Sequence, residues 1–179
     1  MSARGTVRAI DRLHWLDMRR RLGGPAGTVA HAAASDDLSR LPQTDVAAIA
    51  RYTAFLSRMV PIDAAGSTAT AASGALGVAW YDAVMQPWRA RAAVPACQPP
   101  DIDGVVQSLQ ELQAMAWMQR PMLVRAWVVA AKEHSLHHRL TDIAADALRM
   151  TSTLLDSPMP PELAKHYGAA MDASLSPRG

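Results

Sequence analysis

Apolar residues along this chain recur at steps of three and four, and β-branched residues stand singly rather than in the alternating runs of strands. One such stripe consists of Val46, Ile49, Thr53, Leu56 and Val60. It predicts a helix from about Thr44 to Met59, which Pro61 ends. Strong helix formers reinforce the pattern, since 35 of the 179 residues are Ala. The sequence therefore predicts an all-α bundle of six to seven helices.

A second helix is expected from Ala64 to about Gln86, with Asp63 as its N-cap. Small residues follow one another along one side of this helix, at Gly66, Thr70, Ser73 and Gly77. Gly inside a helix is unfavourable by about 1 kcal/mol relative to Ala, so close packing is the expected reason for it. We therefore expect this helix to be central.

Four more helices are predicted in the second half of the chain. Asp101 is the expected N-cap of one, whose apolar stripe includes Ile102 and Leu109, and Pro121 fits the first turn of the next. Trp80, Trp88 and Trp127 are expected to pack in the core or at its edge, and Trp127 and Leu109 are expected to be buried at a helix–helix contact. The other two helices are expected from Thr141 to about Leu155, with a stripe of Ile143, Ala147, Met150 and Leu154, and from Glu162 to Asp172.

The predicted domain organisation is simple. Residues 1–25 form a basic N-terminal arm, residues 26–175 a single helical domain with a proline-rich linker near 89–100, and residues 176–179 a disordered tail. A chain of this length supports one domain with a sizeable core.

Composition excludes several classes of protein. Eighteen basic against 16 acidic residues give a formal charge of +2, too little for a dedicated polyanion binder. The single Cys97 excludes an intrachain disulfide and suits a reducing compartment. Because no apolar run reaches the 18 or so residues of a membrane-spanning helix and no secretory signal is evident, we expect a cytoplasmic protein.

The densest polar cluster runs from Glu133 to Asp142. On one continuous helix, His134, His138 and Asp142 would share a face and could bind zinc or a similar metal, with His166 as a fourth ligand. The other interpretation is a turn between two helices, which the helix start at Thr141 favours. In that case His134 ends one helix and Asp142 begins the next, so the three residues do not share a face and cannot bind one metal ion together.

The N-terminal arm carries a charge of +4 over residues 1–22, against −2 for the rest of the chain. A basic amphipathic helix of this kind can bind a partner groove, an anionic membrane surface or nucleic acid. The interaction candidates are Arg12, Trp15, Arg19, Arg20 and Arg21. The simpler interpretation is a terminal helix packed on its own core.

The segment from His137 to Pro161 contains Arg139-Leu140-Thr141, then Ala147-Leu148-Arg149, then Leu155-Asp156-Ser157-Pro158-Met159-Pro160-Pro161. This order of motifs resembles the end of the TerB-like helical domain that follows the protease domain in some HtpX-like zinc metallopeptidases. The Asp-Gly turn of that pattern is His137-His138 here, and its usual Cys is Ser157. The HExxH zinc motif of the peptidases is absent from the chain, so the resemblance implies an all-α accessory domain without protease activity.

Only three Glu are present, and no nucleophile–base arrangement or phosphate-binding loop stands out, whereas ten Met and five Trp supply adaptable apolar surface. We therefore expect a non-catalytic interaction or regulatory domain without a cofactor, which binds a protein partner or itself. The alternative is a metal-binding protein or enzyme that uses His134, His138 and Asp142.

Overall fold

The computed structural model describes residues 13–16, 18, 38–60, 70–135 and 138–175. Every regular element in these ranges is helical and none is a strand, so the predicted all-α bundle is confirmed. Residues 13–16 are helical. The six helices with defined bounds are α1 (Gln43–Leu56), α2 (Thr70–Met85), α3 (Ile102–Gln113), α4 (Gln119–Glu133), α5 (Asp142–Leu154) and α6 (Pro161–Leu175), and short 3₁₀ turns lie at Leu38–Arg40 and Gln86–Trp88.

Helix α1 is the centre of the bundle. It packs most extensively on α3 and also contacts α2, and Tyr52 and Thr53 reach side chains of α5 and α4. Its buried residues occupy almost every side of the helix: Val46, Ala48, Ile49, Ala50, Tyr52, Thr53, Ala54, Phe55 and Leu56. The expectation that the helix ending near Gln86 is central is therefore wrong, because α2 leaves Leu76 and Val78 exposed.

Close packing does explain one glycine of α2. A Cβ at Gly77 would lie 2.5 Å from the backbone oxygen of Ser57, just after α1. Any side chain there would push the two helices apart, so Gly77 permits their close approach. Asp63 and Gly66, predicted to belong to the same helix, lie outside the described residues.

Capping residues set two helix starts as predicted. The Asp101 carboxylate accepts a hydrogen bond from the Gly104 amide at 2.9 Å, and the Thr141 hydroxyl accepts one from the Ala144 amide at 3.2 Å. Helix α4 ends at Glu133 and α5 begins at Asp142, so the predicted turn through the His cluster is confirmed.

Of the two places expected for the tryptophans, core or edge, the structure shows the core, since Trp80, Trp88 and Trp127 are buried. Leu109 is buried too, yet α3 packs mainly on α1, and Trp127 likewise contacts α1 through Tyr52 and Thr53. Trp127 therefore meets the central helix α1, on which the helix of Leu109 also packs.

The predicted stripe of α5 is wrong at its first position. Ile143 is 46% exposed, whereas Ala144 and Leu148 are fully buried. The inward face is centred one residue later, because small Ala side chains let the first turn of α5 approach the bundle closely. Ile143 then falls outside the contact.

The segment near 89–100 lacks regular secondary structure after its first turn, as predicted, but it is tied to the helices. The side-chain amide of Gln43 donates to the Ala93 carbonyl at 2.9 Å and accepts from the Ala93 amide at 3.1 Å. The Tyr81 hydroxyl donates to the Pro95 carbonyl at 2.8 Å.

At the C-terminus, α6 continues to Leu175, beyond the predicted end at Asp172, and the tail of residues 176–179 lies outside the described residues. Within the ranges that the structure describes, no helix combines the length and apolar character needed to cross a membrane.

Candidate interaction surface

The four predicted metal ligands are separated by the turn between α4 and α5. His134 is the C-cap of α4, and its Nδ1 lies 2.9 Å from the Ala130 carbonyl oxygen. His138 lies in the turn itself, exposed and with a positive φ of 55°. Asp142 is the first residue of α5, so it does not share a helical face with either histidine.

Asp142 does come close to His166 of α6, whose Nε2 lies 3.3 Å from the Asp142 Oδ1. Among the described residues, however, no group of three or more His, Cys, Asp or Glu side chains is placed to hold a metal ion. The structure thus brings together two of the four predicted ligands. A metal site at these residues stays a prediction of the sequence.

Part of the N-terminal arm is described. Leu13 and Leu16 are buried in the hydrophobic core, whereas Trp15 is partly exposed. This placement agrees with a terminal helix that packs on its own bundle. The other interaction candidates, Arg12, Arg19, Arg20 and Arg21, lie outside the described residues.

Cys97 lies half-buried in the loop before α3, with its Sγ 3.5 Å from the Ser57 hydroxyl oxygen. Burial raises the pKa of the thiol, and the Ser57 hydrogen bond only partly offsets this. The thiolate is the reactive form, so this environment disfavours nucleophilic chemistry at neutral pH.

The most exposed large apolar side chain of the described residues lies where α3 turns into α4. Trp117 is 69% exposed in the turn itself, and Met118 and Met122 follow it at 38% and 41%. Met159, in the segment that leads into α6, is also 41% exposed. These four residues, Trp117, Met118, Met122 and Met159, are called the Trp–Met strip below.

The turn that carries Trp117 is fixed from beneath by Arg120, which is almost fully buried. Its Nε donates to the Met115 carbonyl at 3.0 Å and its Nη1 to the Leu155 carbonyl at 3.3 Å. Burial lowers the pKa of the guanidinium. Its positive charge lies beside the Leu155 carbonyl, at the negative end of the α5 dipole. Gln113 adds a third bond, to the Leu154 carbonyl at 2.7 Å.

A second connection ties the start of α6, just after Met159, to α4. Arg125 donates from Nε and Nη2 to the Glu162 Oε1, at 3.1 and 3.0 Å. Because Arg120 contacts Leu155 and Arg125 contacts Glu162, the segment 155–162 runs alongside residues 120–125. These two contacts tie the segment that carries Met159 to the first half of α4.

Sequence reasoning missed Trp117, although it singled out the tryptophans at helical spacings. The available signal was its position between the end of the α3 stripe and Pro121, off the apolar stripe of either helix. Arg120 was missed as well, since nothing local shows that its partner carbonyls include Leu155, 35 residues away.

Comparison with known proteins adds no relative, because no family model, no curated protein and no solved structure matches this chain.

Proposed function

We propose that this protein is a non-catalytic α-helical interaction domain that binds a protein partner or itself through the Trp–Met strip. The observation that supports it is Trp117, a large apolar side chain that is 69% exposed on a turn held by Arg120 and Gln113. Leaving an indole in water forgoes the free energy that burial would supply.

The composition of the strip is that of a binding surface. Trp is among the residues most enriched at binding hot spots, and Met adapts its shape to different partners. Since the turn is already anchored, little backbone entropy is lost when a partner covers Trp117.

Site-specific photo-crosslinking in cells that produce the protein tests this proposal. A photoreactive phenylalanine analogue replaces Trp117, and a matched control carries it at Ile143, which is 46% exposed on α5. We expect discrete adducts from position 117 and a much weaker yield from position 143. Equal yields from the two positions would refute the strip as the binding surface.

We also propose that residues 137–161 correspond to the end of a TerB-like accessory domain. Two features support it. Helix α5 occupies the interval between the turn and the proline-rich segment that ends at Pro161. His138 stands where the TerB-like pattern has Gly, and it has the positive φ that Gly adopts most readily. Mass spectrometry of the adducts at position 117 tests this role. If the protein is the accessory domain of a peptidase, a peptidase should be among the crosslinked partners.

A further inference from the structure

We infer that the Trp–Met strip receives an amphipathic helix of a partner protein, with three apolar residues toward the strip and a carboxylate toward Arg125. This inference rests on the proposed function and specifies the chemistry of the partner. Three features support it: the length of the strip, its area and the charge at one end.

The length of the strip, taken together with Arg125 at its end, suits two turns of helix. Met118, the N-cap of α4, stands at i, Met122 at i+4 and Arg125 at i+7, and all three are exposed. At a rise of about 1.5 Å per residue, these positions span about 10 Å. Helices that bind in apolar grooves place anchors at i, i+3 or i+4, and i+7, which cover the same distance.

The area of the strip argues against a second copy of the chain. Its four side chains expose on the order of 300–400 Å² together, if a whole Trp offers about 250 Å². A stable complex of two globular surfaces buries about 800 Å² on each partner. A single helix needs only a narrow apolar surface, and the strip provides one.

The charge at the far end of the strip indicates the sign of the partner. The Arg125 side chain is 64% exposed, and both of its hydrogen bonds to Glu162 go to the one oxygen Oε1. Its Nη1 makes no such bond and can pair with an incoming carboxylate, as guanidinium groups do with high specificity.

The probe for this inference is a synthetic Ala/Gln-based helical peptide of about 18 residues, with Leu at i, i+4 and i+7 and Glu one turn beyond either end. A second peptide carries Lys in place of each Glu. Fluorescence anisotropy measures the binding of each peptide to the full chain. We expect micromolar binding of the Glu peptide and at least about tenfold weaker binding of the Lys peptide.

Variants of the chain locate the binding site. Trp117→Ala should weaken binding of the Glu peptide at least about tenfold, and Arg125→Gln should abolish the preference for Glu over Lys. Ile143→Ala should change neither. Circular dichroism and thermal unfolding confirm that each variant keeps its fold.

Several outcomes would overturn the inference. They are a failure of both peptides to bind, binding that is insensitive to Trp117→Ala, a dimer held through position 117 in analytical ultracentrifugation, and binding of phosphatidylglycerol vesicles that Trp117→Ala removes. Adducts at position 117 in cells together with no peptide binding would reject the helix and keep the proposed function. The absence of both adducts and peptide binding would reject both.

Discussion

Two tryptophans ten residues apart have opposite environments. Trp127, inside α4, is fully buried, lies against the Tyr52 ring and donates from Nε1 to the Thr53 hydroxyl at 2.9 Å. Trp117, in the turn before α4, has most of its surface in solvent. The amino acid is the same, and only its position relative to the central helix α1 differs. The comparison separates an indole that holds the fold together from one that is available to a partner.

The polar groups around the two tryptophans differ in the same way. Near Trp127 the Thr53 hydroxyl accepts from the indole, and the Tyr52 and Thr151 hydroxyls pair with each other at 3.2 Å inside the bundle. Burial raises the pKa of the Tyr52 hydroxyl, which therefore stays a neutral hydrogen-bonding group. Near Trp117 the polar side chains of Arg120 and Gln113 bond backbone carbonyls and leave the indole unconstrained by partners.

The largest expected effect is that of Trp127→Ala. It should lower the free energy of unfolding by roughly 3–5 kcal/mol, because it opens a cavity against α1 and leaves Thr53 without its partner. Trp117→Ala should change it by less than about 0.5 kcal/mol, as exposed substitutions do. Urea unfolding followed by circular dichroism measures both. Similar losses in the two variants would abolish the distinction.

Arg120→Met should destabilise by about 2 kcal/mol, since the Met115 and Leu155 carbonyls lose a charged donor. The matched control is Arg125→Met, which removes an exposed ion pair and should cost less than about 1 kcal/mol. If Arg120→Met were as mild as its control, the turn beneath Trp117 would not depend on this residue.

Thr53→Val should cost about 1–2 kcal/mol, because it keeps the shape of the side chain and leaves the buried Trp127 N–H without an acceptor. Thr53→Ser retains the hydroxyl and should preserve that hydrogen bond. Trp80 offers an internal comparison, since its buried Nε1 has no hydrogen-bond partner among the described residues. A neutral Thr53→Val would show that the bundle tolerates a second unpaired indole equally well.

The smallest effect concerns the end of α5, beside the strip. Asp156 has a positive φ of 50°, and the Ser157 amide donates to the Ser152 carbonyl at 2.9 Å, as in a Schellman motif. Asp156→Gly should be more stable than Asp156→Ala by about 1 kcal/mol, because only Gly adopts this conformation without strain. Thermal unfolding of the two variants checks the difference, and equal stabilities would contradict it.

Much of the fold could be predicted because its signals are local. The caps at Asp101 and Thr141 act within three residues of themselves, and the propensities around His134 end a helix without help from distant groups. Trp127 was predictable as a core residue because the periodicity of its own helix places it on the apolar stripe.

The rest depends on contacts between distant parts of the chain. Ile143 has the right spacing for the α5 stripe and is excluded from the core by the close approach of Ala144. Trp117 is apolar enough for a core, and only the three-dimensional path of the turn exposes it. The Asp142–His166 pair joins residues 24 positions apart on two helices, so no spacing rule could select it over the other histidines.

The Gln43 amide, which bonds both backbone groups of Ala93, makes the proline-rich loop a strap rather than a hinge. It pairs with the loop as a neighbouring strand would, at the first residue of a helix whose N-cap, Pro42, supplies no side-chain hydrogen bond. Fraying of that first turn and release of Ala93 are therefore coupled, while Tyr81 holds the loop separately at Pro95. Hydrogen exchange at the Ala93 amide would report fraying of the first turn of α1. A ligand that stabilises that turn would slow exchange at the Ala93 amide.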